Sequence, residues 1–497
     1  MYGVRSSAVD FKSIKAYCIL GFGRTGVATA RLLLDKCPDA QIRVSEFKAR
    51  DEFDQNLIES LEGQGVEFEF GKQTEDFVLN KGAFVIISPG IAPRTPIVQD
   101  VFASKSKHGT DLDLFAYFLK PEQNYVAITG TNGKTTTTSI LSHIFNSPAL
   151  GNIGKPFLEF EDNYFPYFAC EVSSFQSYYS KYFRDFKIPK VSVFLNFSAD
   201  HLDWHKDLKE YQNSKEKLFL QSLTESNFWV LNFDDPHIKH FGIKTRMLEG
   251  SGTSMCYFSS QDISYTLSRK YPLVGYQKEG RLYLARYLED TDVGDQLGTV
   301  MVNANNEYYL EIPLCETKAL NIVGDHNYSN ALAAALSAYL LDFSPEFISD
   351  SLVSFKPVEH RLEFVRDINN NKIYNDSKST NPDSTQKALD SFDESIVIVG
   401  GKDKNLDLDP FIRNLFKKAY AVIAIGETQT AIYDGLRRHG FDKIRRAATL
   451  EEAFSIAVMY GDDNNFPIVL SPGSSSFDMF EGYEDRGNQF KEIVLNY

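Results

Sequence analysis

Gly130-Thr131-Asn132-Gly133-Lys134-Thr135-Thr136 contains the residue types that hold a polyphosphate. Glycines let the backbone aim its N–H groups at phosphate oxygens, a lysine neutralises β- and γ-phosphate charge, and the Thr135 hydroxyl suits a Mg²⁺ ion. Position 128, where GxxxxGK[ST] places its first glycine, is Ile, so the string is a variant phosphate loop. A second string, Gly21-Phe22-Gly23-Arg24-Thr25-Gly26, matches GxGxxG, and Glu46 lies 20 residues beyond Gly26. On pattern alone this is a dinucleotide fingerprint. The same geometry serves any ligand with a diphosphate and a ribose, and a tight turn without ligand is the plain alternative.

Carboxylates and imidazoles follow other apolar runs. Glu171 stands in CEVSSFQ, Asp200-His201-Leu202-Asp203-Trp204-His205 comes after VSVFLNF, and Tyr211 and Lys215 lie just downstream. Taken one at a time, such residues are more often surface or hydrogen-bonded core groups; together they put acid, base and metal-binding groups near the phosphate loop. His201 and His205 have i, i+4 spacing, but neither HExxH nor a third ligand accompanies them, so zinc is not expected. Asn375-Asp376-Ser377-Lys378-Ser379-Thr380-Asn381 is polar throughout. Gly400-Gly401-Lys402-Asp403-Lys404 and Ser471-Pro472-Gly473-Ser474-Ser475-Ser476-Phe477 each follow an apolar run, at strand ends where open α/β sheets bind ligands.

The elements needed to position these groups are legible. AYCIL, GFGRTG, VATARLLLDK and QIRVSE make a βαβ unit, and FVIISPG supplies a further strand. VAIT before the phosphate loop opens a second strand-loop-helix, continued by YFACEVSS and VSVFLNF and ending near the helical NALAAALSAYLL. From about 228 to 320, alternating Tyr, Gly and polar residues predict short antiparallel strands. KPVEHRLEFV reads as a linker, with a hinge at Lys356 to Glu359. IVIVGG, AYAVIAIG and FPIVLSPG predict a small parallel sheet beyond it. The expected fold is therefore α/β in three domains: a Rossmann-like domain (1–113), a central phosphate-loop domain with a parallel sheet (114–357) and a second Rossmann-like domain (358–497).

The 497 residues carry a net charge of -15, which argues against nucleic acid as a bulk partner. Five scattered cysteines without CxxC spacing suggest neither a disulfide framework nor a zinc site. No apolar run approaches a membrane span and no signal peptide is recognisable, so a cytoplasmic protein without a membrane partner is expected, and a monomer.

GTNGKTT, DHLDWH with its downstream lysine, GDHNYSNALAAA, EHRLE and DSKSTNP occur in an order that resembles the Mur ligases, from about Ile19 to Phe490. SSFQ after Glu171, the NDSKSTN and GGKDK loops and the SPGSSSFDMFEGYEDRG ending look like the D-glutamate-adding branch. The resemblance implies ATP- and Mg²⁺-dependent addition of D-glutamate to UDP-N-acetylmuramoyl-L-alanine through an acyl phosphate, in peptidoglycan precursor synthesis. It implies that the first domain binds the UDP-substrate rather than a dinucleotide, with Gly23, Arg24, Thr25, Glu46, Ser88 and Gly90 near the uridine diphosphate and Asn152 and His201 toward the muramoyl part. For ATP it implies Gly130 to Thr136, Asn327, Asn330, Arg361 and Asp376. For metal it implies Thr135, Glu171, His201 and Lys215 as a carbamate, these last three with Lys134 forming the catalytic set. For D-glutamate it implies Lys378, Thr380, Lys404, Ser476, Phe477 and Tyr483. Tyr483 stands where the family pattern has Phe, and the stretch from 221 to 320 is longer than the pattern, as an insertion on the central domain would make it.

Overall fold

A computed structural model describes residues 9–160, 165–202, 204–223, 227–249, 254–266, 271–288, 298–302, 308–357, 359–403, 407–461 and 465–497, without the side chains of 81 and 246–249. The chain forms two compact units, Met1–Leu314 with Asn330–Leu352, and Cys315–Ser329 with Val353–Tyr497. Among the described residues no helix is long and apolar enough to cross a membrane. All five cysteines are buried free thiols.

The first unit holds two sheets. In the first, β1 (Ala16–Leu20), β2 (Gln41–Glu46), β3 (Glu67–Phe70), β4 (Phe84–Ile87) and β5 (His108–Gly109) lie in the order β3-β2-β1-β4-β5, all parallel. Every side chain of β1 and β4 is buried, as expected for strands covered on both faces. Helix Arg24–Lys36 makes the first crossover, starting at the glycine turn.

The second sheet is built from β6 (Asn124–Thr129), β7 (Ala149–Gly151), β8 (Tyr167–Glu171), β9 (Val191–Phe194), β10 (Phe228–Asn232), β11 (Ser254–Ser259), β12 (Leu273–Lys278), β13 (Arg281–Tyr287), β14 (Thr299–Val302) and β15 (Tyr308–Glu316), in the order β14-β15-β13-β12-β11-β10-β9-β6-β8-β7. The reading of 228–320 as antiparallel is corrected in part. β10 and β11 are parallel to β9 and to each other, with helix Pro236–Glu249 as the crossover, and β12 is parallel to β11; antiparallel pairing starts at β12–β13 and recurs at β14–β15. The helix escaped notice because two His, three Lys or Arg and a Gly interrupt its apolar face, while Trp229 and Phe241 stack inside (5.6 Å) and fix the crossover.

In the second unit, β16 (Glu363–Ile368), β17 (Asn371–Asn375), β18 (Ser395–Gly400), β19 (Ala419–Ile425), β20 (Ile444–Arg446) and β21 (Ile468–Leu470) lie in the order β16-β17-β21-β18-β19-β20. All pairs are parallel except β16–β17. The three apolar runs are β18, β19 and β21, at the middle of the sheet. Position 358, within the expected hinge, lies outside the described residues.

Helix Asp111–Phe118 leads from the first sheet to the second, and its first turn buries two carboxylates. Oδ1 of Asp113 accepts bonds from the backbone N–H of Lys181 (3.0 Å), Tyr182 (2.6 Å) and Phe183 (2.9 Å) and from the Ser180 hydroxyl (2.8 Å), while Oδ2 accepts from Thr110 N (3.1 Å). Oδ2 of Asp111 accepts from Gln176 Nε2 (3.1 Å), and Oδ1 from the Thr110 hydroxyl and Leu112 N. Burial raises both carboxyls against these bonds, that of Asp111 to about 6. An apolar helix start would leave the 180–183 donors without acceptors, at a cost of about 1–3 kcal/mol each.

Asp113→Ala is expected to lower the midpoint of the earliest urea transition, with a loss of about 3 kcal/mol or more; an unchanged midpoint would mean that water replaces the carboxylate. Because the folded-state carboxyl of Asp111 is raised above its unfolded value of 3.8, the folded state binds more protons between 3.8 and about 6, and stability falls as pH rises through that window. Asp111→Asn does not titrate, so its stability relative to wild type should improve by about 1 kcal/mol from pH 5 to pH 7; a pH-independent difference would contradict the burial argument.

Candidate active site

β6 ends in the phosphate loop, whose conformation depends on two glycines. Gly130 has φ +154° and Gly133 has φ +83°, and a Cβ on Gly133 would meet Asn330 Oδ1 at 2.3 Å. Helix Lys134–Phe145 starts directly after Gly133, so its free N–H groups and dipole point toward the loop. Asn196, just past β9, accepts from Asn132 N (2.7 Å) and donates to Asn132 O (2.9 Å), and Thr131 N donates to Asn196 O (2.9 Å). Thr131 Oγ1 also accepts from Ser198 N (3.0 Å) and lies 3.1 Å from the Tyr211 hydroxyl. Thr136 is buried in the first helical turn.

Two ammonium groups reach one carbonyl. Lys134 Nζ donates to Gly130 O (2.9 Å) and Thr131 O (2.8 Å), and Lys215 Nζ donates to Gly130 O (2.7 Å). Lys215 is 1% exposed, and burial, then Lys134, holds its ammonium well below the usual lysine range. Glu171, at the end of β8 and 2% exposed, accepts from Thr135 Oγ1 on Oε2 (3.0 Å) and from Asn152 Nδ2 on Oε1 (2.9 Å). The loop, the first helical turn, Glu171 and Asn152 thus form one connected cluster. Hydroxyl and carboxylate are hard oxygen donors, the kind that Mg²⁺ takes.

His201 has φ +53° and is therefore not helical, so His201 and His205 do not share a helix face. The His201 ring packs edge-on against Phe175 (4.9 Å) and lies near Asp200 (3.6 Å). His205 is fully buried, 3.0 Å from the Ser174 hydroxyl, as a core histidine is. Asp203 lies outside the described residues. No group of three or more His, Cys, Asp and Glu that would hold a metal is found among the described residues.

In the first sheet's glycine turn, a Cβ on Gly26 would lie 2.1 Å from Gly21 O, and Gly21 has φ +93°. Gly23 caps helix Arg24–Lys36. Glu46 turns back on this turn, accepting from Phe22 N (2.7 Å) and Lys48 N (3.0 Å). Arg24 donates to Gly154 O, and Thr25 lies in the first helical turn with its carbonyl bonded to Thr29 Oγ1. The buried Ser88 Oγ has no hydrogen-bond partner among the described residues and lies beside Gly21; Gly90 is exposed nearby.

In the second unit, Asp376 is 1% exposed, accepting from Ser471 Oγ (2.7 Å) and Leu362 N (3.1 Å); burial raises its carboxyl, and Arg361 opposes that shift. Asn327 Nδ2 donates to Val323 O (2.8 Å) on the helix that also carries Asn330. Lys378 Nζ lies 5.4 Å over the Tyr483 ring, and Thr380 N donates to Lys378 O. Ser476 is buried beside Phe477, which is 70% exposed. Lys404 lies outside the described residues.

The Mur ligase MurD-like N-terminal domain matches residues 15–107, the Mur ligase middle domain 128–338, and the Mur ligase glutamate ligase domain 360–473. The UDP-N-acetylmuramoylalanine--D-glutamate ligase of Thermoanaerobacter pseudethanolicus is 34% identical over 492 residues, covering 97% of this chain and 98% of that protein. The chain belongs to the Mur ligase family. The similarly named ligase of Clostridioides difficile is 30% identical over 497 residues, covering 98% and 100%. MurF of Acinetobacter baumannii, a solved structure, has a TM-score of 0.56 at 14% identity, over 96% of this chain and 93% of that one, which speaks to fold alone. The three-domain α/β architecture is that of a Mur ligase.

Two residues of this Mur ligase escaped the sequence reading. Asn196 clamps the phosphate loop from both sides of one amide; its signal was an Asn at the carboxyl end of an apolar strand. Arg486 is completely buried and donates to Ser377 O (2.8 Å), Ser377 Oγ (3.0 Å) and Ser474 O (3.2 Å), tying the DSKST loop to the SPGSSS loop. Its signal was an arginine beside a glycine, Gly487, on which a Cβ would meet His360 Nδ1 at 2.2 Å.

Glu171→Gln keeps the shape of the cluster and removes its charge. Its melting temperature is expected to stay within about 2 °C of wild type, with affinity for Mg²⁺-nucleotide about tenfold weaker or worse; unchanged affinity would take Glu171 out of a cation site.

Proposed function

We propose that this Mur ligase joins D-glutamate to UDP-N-acetylmuramoyl-L-alanine with conversion of ATP to ADP and phosphate. The observation that carries the reading is Glu171, bonded on one oxygen by the phosphate-loop Thr135 and on the other by Asn152, so that one buried carboxylate is shared between the nucleotide side and the side assigned to the muramoyl substrate. The names of the relatives over nearly the full chain support the choice of substrates.

In this reading the substrate's L-alanyl carboxylate attacks the γ-phosphorus of ATP, the bond to the β-phosphate oxygen breaks, and ADP leaves. The D-glutamate amine then attacks the acyl carbon; the tetrahedral adduct loses a proton from nitrogen and expels phosphate, leaving the amide. Gly130 to Thr136 cradle the phosphates, and Lys134 leaves its contact with Gly130 O to offset charge on the transferring group. Mg²⁺ held by Thr135 and Glu171, with His201 and a carbamylated Lys215, would supply further charge neutralisation. Lys215 is suited to carbamylation because burial disfavours its ammonium, and only the neutral amine adds CO₂. Gly23, Arg24, Thr25, Glu46, Ser88, Gly90, Asn152 and His201 are assigned to the UDP-substrate. Asn327, Asn330, Arg361 and Asp376 are assigned to ATP. Lys378, Thr380, Lys404, Ser476, Phe477 and Tyr483 are assigned to D-glutamate, where two cations match two carboxylates. The reading carries domains at 1–113, 114–357 and 358–497, with a hinge at 356–359, and a cytoplasmic monomer. The nicotinamide reading of the glycine turn is disfavoured by the match of residues 15–107 to the Mur ligase MurD-like N-terminal domain and by the names of the relatives.

Phosphate release from ATP and Mg²⁺ with UDP-N-acetylmuramoyl-L-alanine should require D-glutamate and fail with L-glutamate, L-alanine or diaminopimelate. Release with another amino acid would move the chain within the family, and tight nicotinamide binding without release would revive the alternative.

A further inference from the structure

The helix that carries Tyr211 and Lys215 has a second, unassigned face. At 100° per residue, Tyr211, Lys215 and Leu218 lie on one side of helix Leu208–Gln221, whereas Lys209, Asn213, Glu216, Lys217 and Leu220 lie on the other, with Gln212 at its edge. That far side faces helix Pro236–Glu249 across a cavity of about 1030 Å³, to which the latter presents His237, His240, Phe241 and Lys244. Neighbouring helices normally meet through apolar stripes. Here the facing residues are mostly polar, and the helices leave a groove.

Its chemistry is amphipathic. Leu220 and Phe241 supply an apolar floor, with Phe241 stacked on the core Trp229. Around it stand Arg184, Lys209, Lys217 and Lys244 with a single carboxylate, Glu216, which is engaged by Gln212 Nε2 (2.6 Å). Lys209 and Lys244, both exposed, make no ion pair among the described residues, in a chain whose net charge is -15, whereas Lys217 donates to Tyr178 O (2.7 Å) and burial lowers its ammonium to about 8. Asp207 and Glu210, at the same end of the helix, are bonded to backbone N–H groups of its first turn and of Lys206. The buried amide oxygen of Gln221, also lining the groove, has no hydrogen-bond partner among the described residues and calls for a donor.

We infer that this groove binds a phosphorylated small molecule with an apolar or aromatic body, of the nucleoside polyphosphate class, at a site separate from the phosphate loop. The phosphates meet Lys209, Lys244 and Arg184, the flat body lies on Leu220 and Phe241, and a base or ribose donor reaches Gln221.

The test is titration calorimetry of GTP and of inorganic tripolyphosphate into the full chain carrying Lys134→Ala, which weakens the phosphate loop, and into the same chain with Lys209→Glu and Lys244→Glu added. Both are exposed positions, and equal melting temperatures establish equal folding. The inference expects saturable GTP binding that weakens about tenfold or more on charge reversal, and GTP tighter than tripolyphosphate. Binding indifferent to the charge reversal, or no saturable binding, overturns it. Tripolyphosphate equal to GTP overturns the role of the apolar floor, and poly-L-glutamate binding as tightly as GTP would make the groove a polypeptide site instead.

Discussion

The carbonyl oxygen of Gly130 sets the conditions for everything around it. It directly follows a strand buried from Tyr125 to Thr129, and two lysines from different helices converge on it. Placing two ammonium groups on one neutral acceptor is costly in a dry interior unless negative charge is nearby. Glu171 and Asp200 supply part of it, as their influence on Lys215 records. A polyphosphate bound by the loop would supply the rest.

That cluster demands rigid support, which comes from groups with no chemistry of their own. Asn196 fixes the loop backbone through paired amide bonds, and Gly133 must lack a side chain because Asn330 fills its space. Farther out, Asp113 gathers four donors from 180–183 and anchors the segment that follows the Ser173-capped helix, on which Phe175 packs His201. Positional precision in the site thus rests on buried polar bonds rather than on apolar packing, which fills space without specifying register.

The helix Leu208–Gln221 shows how one element serves two environments. One face buries Tyr211 and Lys215 against the phosphate loop; the opposite face borders a basic groove floored by the same aromatic core that fixes the 236–249 crossover. The sequence reading missed that crossover because its helix mixes His, Lys and Gly into the apolar pattern, and it therefore mistook strands that continue a parallel sheet for antiparallel ones.

By itself the sequence determined the glycine-lysine phosphate loop, the βαβ start and the three central strands of the last sheet, because these depend on local backbone freedom and on short-range periodicity, and it pointed to the family through the resemblance of five motifs in order. Only the tertiary structure decided that Glu171 joins Thr135 to Asn152, that Lys134 and Lys215 share one carbonyl, that His205 is a core residue while His201 is left-handed, and that Arg486 ties two loops together. Those facts are contacts between residues up to 109 positions apart, set by sheet order and burial, and no local pattern in the chain encodes which distant partner a buried polar group will meet.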